Sequence, residues 1–567
     1  MSTKEKIVEL WEQLYPQIPL SRLYSFLEQL EVQPVRLETT DWYKDAVVYS
    51  LYVDLFASDF DGLTQKLDYL QGLGVSCLWL LPILDSPMRD AGFDIRNYDL
   101  VRHDLLGLEK GFTREEQEQR FGRFLDEAHA RGIRVIFDIA INHCSEEHPW
   151  FVEAKKTEDN PYRNYFIWSK DPGKYADARI IFKGMETSNW EPWGDSYYFH
   201  RFFNFQPDLN YRNPEVLFAM LKNLLYWQKL GVDGFRADAI PYLWKEEGTD
   251  CENLPQTHLI VKMFRAVLDF VKPGTLLLAE ACQKPATVVE YMGQGDECHA
   301  AYHFPVMPMF YKSIAQQSNQ PIRQILHPSV TPAIPENSQW FTFLRCHDEL
   351  SLELVYVSEE DRKYIHQNYC LEPSWDFRIG EGISARLSNL FGLDARKIAL
   401  AYSMMLSLPG TPVIYYGDEI GKENDKQYYK EMAAFVGKDD TRFLVRGKMD
   451  WPQIEKQLAD AGSFQSKIFQ SLQTMLKIRN RFKVFGRGDL HFMDVYDSAN
   501  RPVDAVLAYI RQFESEKLLI VQNLSDKLLN VHLDQSKETA HDLILKAKLN
   551  FSALELQPYQ YFWINLE

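Results

Sequence analysis

Eight short apolar runs, separated by stretches of helical periodicity, constrain this chain more than any other feature of its 567 residues. The runs are 47–53, 77–82, 134–140 and 234–239, followed by 275–281, 300–305, 340–345 and 412–417. They are nearly continuous rather than alternating, which predicts parallel strands covered on both faces. Helices are predicted over 63–72, 115–131, 214–230 and 256–270. Eight such strand–helix units close into an α/β fold, the (β/α)8 barrel, which carries its chemistry at the C-terminal ends of the strands.

Other parts of the chain attach to this frame. Residues 1–42 read as a separate helical extension, with Ile7, Leu10, Trp11 and Leu14, then Leu23, Phe26, Leu27 and Leu30, at helical spacing. Pro19 and Pro34 punctuate it. Two readings are open for this extension, a cap on the main domain or an element that joins copies into a homo-oligomer. Within the barrel, 43–485, two connections exceed the usual loop length. Residues 142–206, after the third strand, are expected to form a protruding subdomain. A second insertion, 349–394, follows the seventh strand, and both emerge on the catalytic face. Short alternating strands after residue 486 predict a β-sandwich over 486–567.

The formal net charge of -18 argues against a nucleic-acid partner, because a phosphate backbone demands a basic surface. Seven cysteines, an odd number without CxxC spacing, point to reduced thiols. No signal-peptide pattern and no run of membrane-spanning length is present in MSTKEKIVELW or beyond, so no membrane partner and a cytoplasmic location are expected.

Polar residues gather where the strands end. Strand three ends in Asp138-Ile-Ala-Ile-Asn142-His143, strand four in Arg236-Ala-Asp238, strand five in Leu278-Ala-Glu280, and strand seven in Leu344-Arg-Cys-His347-Asp348. Residues two apart in a strand share a face, so Arg236 lies beside Asp238 and is expected to keep it ionised. Each carboxylate singly could be a structural ion pair. Asp238, Glu280 and Asp348 together with His143 and His347, all at one end of one barrel, constitute a candidate active site.

These four segments resemble the signature regions of the α-amylase clan, glycoside hydrolase family 13, whose members share the TIM barrel. Within it the chain is similar to trehalose synthases (maltose α-D-glucosyltransferases). The likeness is dense in ARIIFKGMETSNW (178–190), HRFFNFQPDLN (200–210), ENLP (252–255) and GDECH (295–299). It continues in FLRCHDELSLEL (343–354) and LSLPGTPVIYYGDEI (406–420). The resemblance implies a retaining mechanism, with Asp238 as nucleophile, Glu280 as acid and base, and Asp348 binding ring hydroxyls. It implies that Asp90 and Arg446 bind the terminal glucose at its 4- and 6-hydroxyls. Phe93 would stack under the ring and Phe182 pack opposite, while His143 and His347 bond sugar hydroxyls. The activity implied is intramolecular transglucosylation between maltose and trehalose, on a small neutral sugar and without a cofactor in the chemistry. The alternatives are an exo-acting α-glucosidase, a transglucosylase on another small α-glucoside, and a non-catalytic relative, which would be expected to lack one of the three carboxylates.

Departures from the family pattern are visible as well. Cys282 and Cys346 stand where asparagines are common, each two residues from a catalytic carboxylate. The calcium site of relatives would use Asn142 and Asp208 side chains with the Tyr242 and Leu243 carbonyls. Lys245, however, occupies the place of a ligating glutamate, and an ammonium ligates no cation but can pair with Asp208 instead. The loop after strand one, 57–63, is shorter than in relatives.

Overall fold

The computed structural model describes residues 2–32, 40–533 and 539–566. Pro34 lies outside the described residues. All eight predicted strands form: β1 (Val48–Leu51), β2 (Cys77–Leu80), β3 (Arg134–Ala140), β4 (Gly234–Asp238), β5 (Leu276–Ala279), β6 (Ala300–Tyr302), β7 (Gln339–Phe343) and β8 (Thr411–Tyr415). Each pairs in parallel with its sequence neighbours, and β8 returns to β1, closing the barrel. Nearly every strand residue is buried, which is why the runs read as continuously apolar.

Local signals set the boundaries of the long helices. Pro214–Leu230 starts behind Asn213, whose side chain accepts from the Glu215 N–H, and Pro214 sits in the first turn, where its missing N–H costs nothing. It stops at Gly231, which adopts φ 117°, a left-handed conformation that favours glycine. Three residues on, Gly234 opens β4 for a different reason. A Cβ there would meet the Leu276 backbone oxygen at 2.5 Å, so the close approach of β5 excludes a side chain. The region predicted as one helix over 63–72 is two, Phe60–Gln65 and Leu67–Leu73, broken at Lys66. The residues read as a loop, 57–63, are mostly helical too: Val53–Ala57 and Phe60–Gln65 meet at a turn through Ser58 and Asp59, whose side chain accepts the Gly62 N–H.

The N-terminal helices, Thr3–Leu14 and Leu20–Leu27, turn their apolar stripe onto the barrel's helical layer. Trp11 and Phe26 both stack on Phe218, and the Tyr15 hydroxyl donates to the Tyr211 carbonyl. Ser2 and Glu5 form a capping box at the start, worth about 1 kcal/mol. Leu30 lies past the end of the second helix and is only half-buried. Ile7, Leu10, Trp11, Leu14, Leu23, Phe26 and Leu27 of that stripe belong to the same buried core cluster as the barrel.

The segment after β3 holds a short helix, Pro149–Ala154, and a three-stranded antiparallel sheet of Trp168–Ser169, Trp190–Trp193 and Ser196–Phe199. The segment after β7 holds the helix Glu359–Tyr369 and a small sheet of Leu350–Ser351, Asp376–Phe377 and Gly382–Ile383. At the C-terminus, six antiparallel strands between Asp489 and Asn565 face a two-stranded sheet of Leu529–Val531 and Leu554–Leu556. Val506, Ala508, Leu519, Val521, Leu556 and Phe562 fill the space between the two sheets, making a sandwich. On the outer face of the larger sheet, Leu507, Tyr509, Ile520 and Trp563 join the barrel core, and the Trp563 indole donates to Ser403 Oγ at 2.9 Å.

Candidate active site

Strand register delivers the charged residues to one level. Asp138 on β3 lies directly beside Arg236 on β4, and Ala140 beside Asp238. Ala279 on β5 lies beside Ala237, so Glu280, one residue further, stands level with Asp238. The period of two then turns Arg236 and Asp238 to the same side. As a result the buried Arg236 guanidinium bonds Asp238 closely, reaches Asp138 at 2.9 Å and stands 4.0 Å from Glu280. Asp138 takes a second donor, the Trp79 indole N–H, at 2.8 Å. Glu280 Oε2 accepts the Ala239 N–H at 3.0 Å, and Oε1 accepts the Cys282 thiol at 3.2 Å. Ala239 reaches that position in a left-handed conformation, φ 57°, which is strained for a residue with a Cβ.

One guanidinium therefore serves three carboxylates. Burial, joined by the charges of Glu280 and Asp138, raises the Asp238 pKa well above the usual carboxylate range despite Arg236. Arg236 pulls the Asp238 pKa down, as expected of it, while burial, the largest influence, pushes the other way. Asp348 shows the opposite balance. Burial pushes its carboxyl up, but His347 at 3.0 Å, Arg442 at 3.2 Å and Arg446 at 3.3 Å outweigh it and hold the pKa well below the ordinary value.

These groups surround a cavity of about 130 Å³. Asp90, Phe93, His143, Phe182, Arg236, Asp238, Glu280, His347, Asp348 and Arg446 all line it. Burial lowers the His143 pKa to about 4, which favours the neutral ring, and its Nε2 has no hydrogen-bond partner among the described residues. Phe93 stacks on His347 with ring centroids 5.6 Å apart, and Phe182 stacks on Phe203 at 4.2 Å. Asp90 and Arg446 both line the cavity, each beside a different charged partner. The guanidinium within 4 Å of Asp90 belongs to Arg442, at 3.9 Å, while Arg446 is held by the His347 carbonyl and Asp348. Gln206 donates to Asp90 Oδ2 at 2.9 Å.

Sequence reasoning gave no role to several lining residues. Arg442 arrives from the segment after β8, Arg179 from the first insertion, and Glu349, Glu353 and Arg378 from the second. Glu353 lies 3.9 Å from Arg179 and 3.7 Å from Arg378, so an ionic bridge joins the two insertions across the cavity. Burial raises Glu349 to about 7, against the pull of Arg378. Glu349 and Glu353 stand inside FLRCHDELSLEL, so an acidic cluster was visible there, but nothing local tied it to Arg179.

The calcium question turns on the donor set. Lys245 Nζ donates to Asn142 Oδ1 at 2.8 Å and pairs with Asp208 Oδ2 at 2.7 Å, all three side chains being buried. Asp208 Oδ1 is taken by the Arg201 N–H at 2.8 Å. The two side-chain donors assigned to calcium by resemblance are thus engaged by an ammonium, and a divalent cation does not fit beside it. Among the described residues no cluster of three or more His, Cys, Asp or Glu side chains is arranged to hold a metal. Tyr242 lines the active-site cavity and Leu243 a separate outer one. The seven cysteines are all free, and no helix among the described residues is long and apolar enough to cross a membrane.

A closed (β/α)8 barrel with an arginine-centred carboxylate cluster at its C-terminal end has the form of a barrel enzyme with its active site at that end. The α-amylase catalytic-domain profile matches residues 35–481, and the chain belongs to that family. Residues 506–560 match the C-terminal domain of the α-amylase SusG. Among individual proteins, the chain is similar to the trehalose synthase/amylase TreS of Mycobacterium tuberculosis, with 39% identity over 551 residues, covering 91% of this chain and 88% of the relative. The trehalose synthase of Pimelobacter sp. is 39% identical over 538 residues, covering 88% and 90%. The fold of the trehalulose synthase MutB from Pseudomonas mesoacidophila superposes with a TM-score of 0.69 at 23% identity, covering 92% and 99%.

Proposed function

We propose that the protein interconverts maltose and trehalose by intramolecular transglucosylation through a covalent glucosyl-aspartate. Asp238 attacks the anomeric carbon while Glu280 gives a proton to the departing oxygen. The freed glucose turns within the cavity and presents its anomeric hydroxyl. Glu280 removes that proton, and the new bond forms with the original configuration retained. Asp348, held ionised by His347, Arg442 and Arg446, binds ring hydroxyls of the donor glucose, with Asp90, His143 and His347 contributing further hydrogen bonds. Phe93 and Phe182 supply apolar faces for the ring.

Transfer rather than hydrolysis requires that the glucose stay and that water stay out. The observation that carries this reading is the Arg179–Glu353–Arg378 bridge, because it spans both insertions over the cavity that holds Asp238 and Glu280. The similarity to trehalose synthases supports the same conclusion. Hydrolysis by an α-glucosidase on the same scaffold would use the same carboxylates and differ in the acceptor, water in place of the retained glucose.

Incubating the protein with maltose in the presence of isotopically labelled free glucose, while following the anomeric protons, tests this. Unlabelled trehalose is the expected product. Free glucose as the sole product would overturn the synthase reading, and label in the trehalose would overturn the intramolecular step.

A further inference from the structure

Glu280 has two oxygens and two close donors of different character. Its Oε2 accepts a backbone N–H from Ala239, fixed by the strand-four turn. Its Oε1 accepts the thiol of Cys282, two residues along the same segment, at 3.2 Å. Arg236 stands further off, 4.0 Å from the same Oε1. The thiol faces both the active-site cavity and a smaller chamber of about 50 Å³, whose walls include Trp79, Phe304, Phe343 and Cys346. Burial, then the neighbouring Glu280 charge, pushes the Cys282 thiol well above its usual pKa, so it keeps its proton and remains a donor.

We propose that Cys282 is a positioning residue for Glu280, its S–H orienting the carboxyl and favouring the ionised form that remains after proton donation. The proposal rests on the reading of Glu280 as acid and base. No proton leaves sulfur at any stage. In the first half-reaction the Glu280 proton goes to the glycosidic oxygen, and the thiol then donates to the full carboxylate. In the second, Glu280 regains a proton from the incoming anomeric hydroxyl, and the donation weakens again. A thiol is a weaker donor than a hydroxyl or amide, so it can let Glu280 alternate between the two forms without locking either.

The pH dependence follows from that donation. A donor to the carboxylate favours its ionised form, so loss of the donor favours the acid form. The acid form is required for the first half-reaction, and the alkaline limb of kcat/KM therefore moves up. For Cys282→Ala the expected shift is about half a pH unit to one unit, with a roughly fivefold loss of kcat on maltose. Cys282→Ser, which restores a donor, should bring the limb back toward the parent.

The test compares maltose with an activated substrate, 2,4-dinitrophenyl α-glucoside, whose leaving group needs no proton. Cys282→Ala should lower kcat/KM on maltose while changing phenolate release less than twofold. Equal losses on both substrates, or an unmoved alkaline limb, would overturn the proposal. Glu280→Gln is the control for the underlying assignment and should lose maltose turnover but retain the first-turnover burst of phenolate, after which the glucosyl-enzyme accumulates for want of its base. If Glu280→Gln still turns over maltose, the acid–base assignment itself is wrong. If it does not, and Cys282→Ala behaves as the parent, only the role of Cys282 falls.

Discussion

Two buried ionic clusters lie at the same end of the barrel, and they are built on opposite principles. Around Arg236 a single cation meets Asp138, Asp238 and Glu280, leaving an excess of negative charge beside a cavity. Around Lys245 a single cation meets one carboxylate, Asp208, and one amide, Asn142, with the charge balanced and the atoms enclosed. A balanced buried pair fastens the chain and gains nothing by changing. An unbalanced one stores electrostatic tension that a positive transition state relieves, as the oxocarbenium-like centre of glycosyl transfer would.

The most severe break in this comparison is Asp238→Asn. It preserves shape and removes the nucleophile, so turnover of maltose should fall by at least roughly 10⁴-fold, while circular dichroism and Tm remain those of the parent. Full activity would return the Arg236 cluster to a purely structural role.

The balanced cluster is attacked by Lys245→Met. Removing the ammonium leaves Asp208 buried without a partner, at a cost of about 3–5 kcal/mol, read as a lowered midpoint in urea unfolding. The parent should show the same melting temperature with and without a calcium chelator. Lys245→Glu should be destabilised alone and recover stability in millimolar calcium, because it adds an anionic oxygen where the ammonium sat. A parent that loses stability to the chelator would contradict the fastener reading.

Smaller effects lie at the rim. Glu353→Gln opens the bridge to Arg179 while leaving the closer Arg179–Glu252 pair at 2.7 Å in place. The bridge is partly exposed and worth about 1 kcal/mol, so the ratio of glucose to trehalose produced should rise roughly fivefold. An unchanged ratio would separate water exclusion from this bridge.

The smallest effect expected is a displacement on the pH axis. Burial raises the folded-state pKa of Asp238, and the ionised form is the nucleophile. Activity should therefore fall as pH drops through a midpoint above the ordinary carboxylate value of ~4. The sign for stability is opposite, since an acid whose pKa is raised on folding binds its proton more tightly in the native state, and its contribution declines as pH rises through that window. A kcat/KM profile flat down to the ordinary value would show that Arg236 outweighs burial.

Much of the site was legible because strand ends are read locally. Arg236 and Asp238 share a face by simple alternation, and Glu280 and Asp348 end strands recognisable by their apolar runs. Asp138 was in view at the end of strand three, yet its bond to Arg236 depends on register between β3 and β4, which a single strand does not reveal. Arg442 contacts a carboxylate 94 residues away, and Arg179 meets Glu353 from a different insertion. No pattern within either segment records such a meeting. The Arg442–Asp90 approach has the same origin: Arg442 lies in the short helix Thr441–Val445 and Arg446 caps it, and packing decided which of them lies within 4 Å of Asp90.

What the amino-acid order determined alone was the alternation of strand and helix, and with it a barrel whose polar strand ends converge. It also determined that an ammonium, not a glutamate, stands at position 245. Only the tertiary structure decided how charge is apportioned, three acids to one arginine at one cluster and one to one at the other. The reason is physical: periodicity is a property of neighbours along the chain, whereas the balance of a buried charge is summed over whichever groups folding brings within a few ångströms.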